Sequence, residues 1–343
     1  VQRPTVNDIA KEAGVSLATV DRVLNARPGV RARTVVRVNE AIERLGYVRD
    51  VAAANLARRR SYRVAFVLPD SRTSFMQALR GAIESAAGLA AFDRTAARIV
   101  TVAAFDPTAT VRALAGLDGV DGVALMAPET PQVRDAIGRL AQAGTPVVAL
   151  VSDQPNSARN RFVGINNLAA GRTAAQLVGR FARRPDPTVV VVAGSMMARD
   201  QMERRLGFDE TMLRFFPGAT ILPSIEGRDD SDVVAQRLAE ALAAHPRVDA
   251  LYALGAGHRG LVHTLAALGL AGRITVVAHE LTPAARAALE DGTIDAVITQ
   301  DVGHIARSTL RVLRAAIDGT PLDPGQEQIR IEILLRENLP PAG

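Results

Sequence analysis

The chain has 343 residues, 48% of them hydrophobic and 22% charged, with 41 lysines and arginines against 36 aspartates and glutamates and no cysteine. That length allows two to three domains with large cores, and the composition excludes wholesale disorder, disulfides and thiolate sites. No apolar run approaches the ~20 residues that span a bilayer, and Val1-Gln2-Arg3-Pro4 opens without an apolar signal core, so the expectation is a cytoplasmic protein with no membrane partner. Charge is uneven along the chain. Residues 1–63 hold 13 basic and 6 acidic side chains, and the remainder 28 and 30, so a basic head, the footprint of a polyanion-binding element, precedes a slightly acidic body.

In the head, Thr5-Val6-Asn7-Asp8 reads as a capping box, and Val6, Ile9, Ala10 and Ala13 then recur at helical spacing. Gly14 closes this helix through its tolerance of the left-handed cap. Ser16 caps a second helix with Val20, Val23 and Leu24 on one face. A third follows with Val38, Ala41, Ile42 and Leu45, stopped at Gly46. Two short helices joined by a tight glycine turn make a helix-turn-helix. In that arrangement the second helix enters the major groove and its first residues meet base edges. Those residues are Leu17 and Ala18, which offer apolar contact, and Arg22, which can bond a guanine in bidentate fashion. Thr5, Ser16, Thr19 and Asn25 are suited to phosphates, which position without specifying.

The run Thr5-Val6-Asn7-Asp8-Ile9-Ala10-Lys11-Glu12-Ala13-Gly14-Val15-Ser16, with Thr19-Val20 and Arg22-Val23-Leu24-Asn25, resembles the headpiece of the LacI/GalR family of bacterial transcription regulators. Asp21 departs from the family's usual serine, and an acid so near phosphates is expected to face a protein partner or pair with an arginine. The resemblance implies a headpiece over 1–49 and a hinge helix over 50–61 that folds on DNA and wedges a leucine into the minor groove. Leu56 matches that leucine, and Ala53 is counted with it as a DNA contact. Arg49-Asp50 replaces the family's usual Pro-Asn. The partners implied are double-stranded operator DNA, a small-molecule effector and a second copy of the chain, because each headpiece takes one half-site of a near-palindromic operator. The protein would then be nucleoid-associated, would carry no cofactor and would catalyse nothing.

From Arg63 onward, aliphatic runs alternate with helical patterns: Val64–Leu68, Ile99–Val102, Val123–Met126, Val147–Val151, Val189–Val192, Ala250–Leu254, Ile274–Ala278 and Ala296–Thr299. Repeated βα units mean doubly wound parallel sheets, and their number calls for two. By resemblance, the 62–343 body is an α/β, two-lobed periplasmic-binding-protein-like domain crossed three times by the chain. Lobe 1 would take 62–162 and 293–323, and lobe 2 would take 163–292 and 326–340.

Gly255-Ala256-Gly257-His258-Arg259-Gly260 follows a strand and opens a helix, with Glu280 twenty residues on. That is the dinucleotide-binding fingerprint in its proper context, so an NAD-dependent oxidoreductase is a rival. A solute-binding protein is another. Against the first, the unit sits late in the chain, no hydride-transfer constellation accompanies it, and the single lysine is Lys11. The five histidines lack metal-ligand spacing, so no metal is expected.

Ligands in open α/β sheets lie beyond the carboxyl ends of the strands. Those ends carry Asp70, Ser74 and Phe75, then Glu129, then Ser152 and Asp153; the second half contributes Asn166, Arg204, His258, Arg259, Glu280 and Gln300. Arg204, Glu280 and Gln300 also match ligand positions of the family. Carboxylates and amides with few aromatics suit vicinal hydroxyls, so the expected effector is a sugar or polyol.

Overall fold

The computed structural model describes residues 4–24, 27–47, 60–255 and 257–341. The chain forms two compact units, Val1–Arg60 and Ser61–Gly343.

The first unit holds α1 (Val6–Ala13), α2 (Leu17–Leu24) and α3 (Ala32–Leu45). The Asp8 carboxylate accepts from the Thr5 amide and hydroxyl at 2.8 and 2.7 Å, which satisfies donors that a helix start leaves orphaned. Gly14 and Gly46 both sit at φ 59°, the left-handed caps that end α1 and α3. The apolar stripes meet in a small core of Ile9, Ala13, Val20, Val38 and Ala41. Ile9, Val20, Val38 and Ala41 are wholly shielded from solvent. Asn25, Ala53 and Leu56, and with them nearly all of the expected hinge, lie outside the described residues.

The second unit contains two sheets. The first runs β2-β1-β3-β4-β5, all parallel, from β1 (Tyr62–Asp70), β2 (Thr95–Ala103), β3 (Gly122–Leu125), β4 (Val147–Leu150) and β5 (Arg161–Val163). Its helices are α4 (Ser74–Ala90), α5 (Pro107–Ala115) and α6 (Pro131–Gln142). Strand β1 buries Val64 through Leu68 without interruption, as a strand covered on both faces must. Val64, Phe66 and Leu68 pack in one core with Leu79 and Ile83 of α4, and Val67 packs in another with Val123, Leu125 and Leu114 of α5.

The second sheet runs β11-β10-β9-β8-β6-β7. Its strands are β6 (Thr188–Ala193), β7 (Thr220–Glu226), β8 (Ala250–Ala253), β9 (Thr275–His279), β10 (Ala296–Thr299) and β11 (Glu332–Leu334). Its helices are α7 (Asn167–Phe181), α8 (Arg199–Phe215), α9 (Ser231–Ala244), α10 (His258–Ala267) and α11 (Pro283–Glu290), and α12 (Val302–Asp318) follows β10. All neighbours are parallel except β11, which joins β10 antiparallel as an edge. Strand β7 carries Pro223 and pairs with β6 through a register shift. Proline and bulges belong to edge strands, which is why no aliphatic run marks it.

The division of the lobes differs from the expectation at one place. Residues 293–300 do not return to lobe 1. Strand β10 pairs with β9 in the second sheet, Ala296 opposite Val277, and the chain crosses only at Gln300-Asp301. Helix α12 then packs on α4 and on β3 and β4 of the first sheet. An aliphatic run records that β10 is a strand, but not which sheet it joins.

In each sheet the strand order reverses, between β1 and β3 and between β6 and β8. The crevice beyond the carboxyl ends at such points is where ligands of open α/β sheets lie. Seven of the loops that follow strands also supply a side-chain cap for the next helix. Thr73, Asp106, Thr130, Asn166, Asp230, Thr282 and Asp301 all accept from first-turn amides.

Candidate functional site

In the first unit, Ser16 opens α2 by accepting from the Thr19 amide at 3.2 Å and sharing a hydrogen bond with the Thr19 hydroxyl at 2.9 Å. Leu17 remains 50% exposed, and Ala18 and Arg22 are exposed beside it. An exposed leucine at the start of a helix whose core is already complete has no packing role there. Asp21 pairs with Arg27 at 3.2 Å, one of the two roles expected for this acid.

In the second unit, the centre of the crevice is a buried polar network. Helices α7 and α8 cross closely because a Cβ on Gly171 would stand 1.9 Å from the Arg204 carbonyl oxygen, and one on Gly207 2.1 Å from that of Leu168. This crossing brings Arg204, 2% exposed, against Asn167. Arg204 Nε donates to Asn167 Oδ1 at 2.9 Å, Nη1 to the Leu254 carbonyl at 2.7 Å and Nη2 to Glu280 Oε1 at 3.2 Å. Gln300 Nε2 donates to the same Glu280 oxygen at 2.9 Å. Glu280, 5% exposed, ends β9 at φ 70°. Burial pushes its carboxyl upward, against the pull of Arg204 and Gln300. Behind the network, Tyr252 stacks on Phe208 with centroids 4.5 Å apart and shares a hydrogen bond with His279 Nε2 at 2.8 Å. Burial holds the His279 imidazole well below its usual range.

Several polar residues expected at the cleft are engaged in local structure instead. Asn166 accepts from the Ala169 amide at 2.9 Å as the cap of α7. Asp153 is held by Arg159, whose Nη2 lies 2.7 Å from Oδ2. Asp70 points to solvent, 3.9 Å from Arg80. Asp70, Ser74, Phe75, His258 and Arg259 all line a cavity of about 830 Å³ between the lobes, and Phe75 also packs on the first-lobe core.

Among the described residues, two side-chain to side-chain contacts join the lobes across the crevice. The Ser71 hydroxyl donates to Asp229 Oδ2 at 3.1 Å, and Arg199 pairs with Glu129 while its Nε donates to Glu203 at 2.8 Å. Burial pushes the Asp229 carboxyl upward, with the Asp200 charge adding to it and Ser71 opposing. A second space, about 70 Å³, is lined by Ser71, Phe105, Ser152, Asp200, Gln201 and Asp229 among others. Ser152 Oγ, Asp200 Oδ1 and Gln300 Oε1 are buried without a hydrogen-bond partner. Buried polar atoms left unpaired are costly, and Ser152 and Asp200 line this second space.

A model of bacterial regulatory proteins of the lacI family matches residues 5–50, and a periplasmic-binding-protein domain model matches 64–321. The chain belongs to the lacI family of bacterial regulatory proteins. It is 27% identical to the HTH-type transcriptional regulator CelR of Thermobifida fusca over 98% of both chains. It is 42% identical to catabolite control protein A of Priestia megaterium over 83 residues, 24% of this chain and a quarter of that one. Its fold matches GanP, a glucose-galactose binding protein of Geobacillus stearothermophilus (TM-score 0.73, 19% identity, 82% of this chain and 99% of that one). It also matches a solute-binding protein of Burkholderia graminis solved with D-arabinose (TM-score 0.74, 23% identity, 81% and 96%).

The lacI-family architecture makes this chain a DNA-binding transcriptional regulator. In the regulator, the glycine-rich turn that mimics a dinucleotide site has a packing explanation. Gly257 adopts φ 77°, and a Cβ on Gly260 would stand 1.9 Å from the Ser231 carbonyl oxygen, so α10 can close onto α9 only with glycine there. One oxygen of Glu280, Oε1, is already taken by both Arg204 and Gln300. Residues that sequence reasoning passes over include Ser71, Asn167, Asp200 and Asp229. Asn167 and Asp200 sit one and two positions past a helix cap, where the sequence shows only a polar helix start. Asp229 follows the unmarked strand β7 at φ 61°, a left-handed position that a short polar side chain tolerates. Among the described residues no group of acids and histidines could hold a metal, and no helix is long and apolar enough to cross a membrane.

Proposed function

We propose that the regulator is a repressor whose hold on operator DNA is set by a small polyhydroxyl compound bound between the lobes. The observation that carries this reading is the crevice between the lobes, where Ser152 Oγ and Asp200 Oδ1, with Gln300 Oε1 beside Glu280, are buried and unpartnered. Two of the three atoms are pure acceptors, and the third gives or accepts, so the complement is a ligand rich in hydroxyl donors. That two fold neighbours are named for glucose-galactose and D-arabinose binding supports the same class of ligand.

On the DNA side, Leu17, Ala18 and Arg22 meet base edges; Thr5, Ser16, Thr19 and Asn25 hold phosphates; Ala53 and Leu56 serve the hinge contact. Two headpieces reading two half-sites require a homodimer. Arg204 acts as a positioning residue that fixes Glu280 and Gln300, since all three of its donor nitrogens are occupied by protein. A ligand that bonds both lobes changes the balance between closed and open arrangements, and only that difference in affinity can reach the DNA. Fluorescence anisotropy with operator duplex, titrated with sugars and polyols, tests the proposal. One compound is expected to change operator affinity, and reciprocally operator must change that compound's affinity by the same factor. A compound that binds with equal affinity in the presence and absence of operator refutes the coupling.

A further inference from the structure

We propose that Tyr62, Arg314 and Asp318 are positioning residues of the regulator. They fasten the point where the chain arrives from the DNA-binding head to the last turn of α12, the helix that starts beside Gln300 of the crevice network. The proposal rests on the crevice being the effector site and names the connection through which its state reaches the DNA.

Tyr62 opens β1, two residues after the first unit ends at Arg60. Its amide donates to the Arg94 carbonyl at 2.9 Å, and its hydroxyl donates to Asp318 Oδ2 at 2.6 Å. The Arg314 guanidinium lies over its ring, 5.2 Å from the centroid, and is itself held by Asp93, with Nη1 2.8 Å from Oδ2. Next along β1, the Arg63 amide donates to Asp121 Oδ2 at 2.7 Å. Only 3% of Tyr62 is exposed. A buried tyrosine supplies apolar area and one directed hydrogen bond, and here that bond reaches an acceptor 256 residues away in the sequence. The start of a domain stays loose unless something ties it down. This one is tied to a particular helix.

That helix is attached to the lobe crossings along its length. At its start, Gln300 bonds Glu280 of the second lobe at 2.9 Å, and Asp301 caps the first turn. Its middle holds the strap that returns the chain to β11 of the second sheet. Glu327 of the strap accepts from Ser308 and from Arg311 Nε and Nη2 at 2.9 and 3.0 Å, and His304 Nε2 shares a hydrogen bond with the Gln326 carbonyl at 3.0 Å. Its last turns sit so close to the first sheet that a Cβ on Gly122 would stand 3.2 Å from Leu313 and 3.3 Å from Ile317. Seventeen residues span about 25 Å, with no proline to kink them. A change in lobe angle acts on this helix at Gln300 and at the strap. It reaches Asp318 as a displacement of the whole rod, and Tyr62 follows through its hydroxyl bond and the arginine over its ring.

A connection of this kind is established only by measured coupling, and a double-mutant cycle on operator affinity supplies it without any effector. The operator is a duplex selected in vitro from a randomised library on the wild-type full chain. Anisotropy then gives Kd for wild type, Gln300→Ala, Tyr62→Phe and the double variant. Gln300→Ala perturbs the crevice end and is expected to change operator affinity at least about fivefold in the wild type. In the Tyr62→Phe background the same substitution should change it by less than about twofold, whereas uncoupled substitutions this far apart would repeat the wild-type factor to within about twofold. Equal factors in the two backgrounds overturn the proposal. Asp318→Asn keeps an oxygen acceptor for the Tyr62 hydroxyl and should preserve the cycle, while Asp318→Ala should abolish it as Tyr62→Phe does. A lower Tm in these variants with the cycle unaltered assigns the three residues to stability alone and likewise overturns the proposal. Failure of the crevice reading has a different signature, in which Gln300→Ala leaves wild-type operator affinity unchanged. Tyr62→Phe must then still weaken operator binding by about two- to tenfold, the scale of an ordering cost, and spare random duplex; if it does not, the fastening is refuted as well.

Discussion

Replacing Arg204 by alanine is expected to unsettle the second lobe before it touches any ligand chemistry. The guanidinium is 2% exposed and serves three acceptors, Asn167 Oδ1, the Leu254 carbonyl and Glu280 Oε1. Its removal leaves a buried carboxylate with only Gln300 as a donor. Breaking a buried ion pair from one side costs about 3–5 kcal/mol, which in a unit of this size lowers Tm by roughly 10 °C. Arg204→Met with Glu280→Gln removes both charges, and the double variant should recover much of that loss, with a coupling of about 0.5–3 kcal/mol. The pH dependence has a definite sign. Burial already raises the Glu280 carboxyl in the native state, and losing Arg204 raises it further. The folded form then binds more protons than the unfolded one between the ordinary carboxylate value and the raised one, so stability of Arg204→Ala falls as pH rises through that window. Thermal denaturation of the three proteins across mildly acidic to neutral pH measures all of this. A single variant within about 1 kcal/mol of wild type, or a double variant no better than the single, would refute the view that Arg204 chiefly holds Glu280.

Arg22→Ala should relax operator specificity at one base pair by about 1–3 kcal/mol while leaving non-specific binding nearly intact, as read by competition with single-substituted duplexes. Gly207→Ala places a Cβ 2.1 Å from the Leu168 carbonyl oxygen; prising α7 from α8 should cost about 1–3 kcal/mol in urea denaturation and blunt the effector response, and an unchanged midpoint would show that the crossing tolerates bulk. Burial lowers the His258 pKa to about 4, so the unfolded chain takes up protons first as pH falls. Native stability should therefore drop by a few kcal/mol between the ordinary histidine value and that depressed one, and His258→Gln should flatten that part of the profile.

The amino-acid sequence alone specified the three-helix head, because caps, glycine stops and apolar stripes are local signals: Thr5 with Asp8, Gly14, Ser16 and Gly46 each act within four residues of themselves. It likewise marked eight of the eleven strands, since a strand covered on both faces must be an unbroken aliphatic run. It singled out Arg204, Glu280 and Gln300, and the fold gathers all three into one hydrogen-bonded network. What it could not reveal is set by contacts distant along the chain. Whether β10 closes the first sheet or extends the second depends on its partner, and either pairing buries the same side chains. Edge strands β7 and β11, half exposed and interrupted by proline or charge, lack the pattern that burial imposes. The same limit governs the polar residues. A carboxylate in the segment after a strand looks alike in the sequence whether it caps a helix, as Asp301 does, pairs with an arginine, as Asp153 does, or lies in the first turn of the next helix with an unpartnered oxygen, as Asp200 does. Ser71 and Asp229 meet only because loops from two lobes come together there, and no local pattern encodes that meeting, since a side chain's charge is written in the chain but its partner is supplied by the fold.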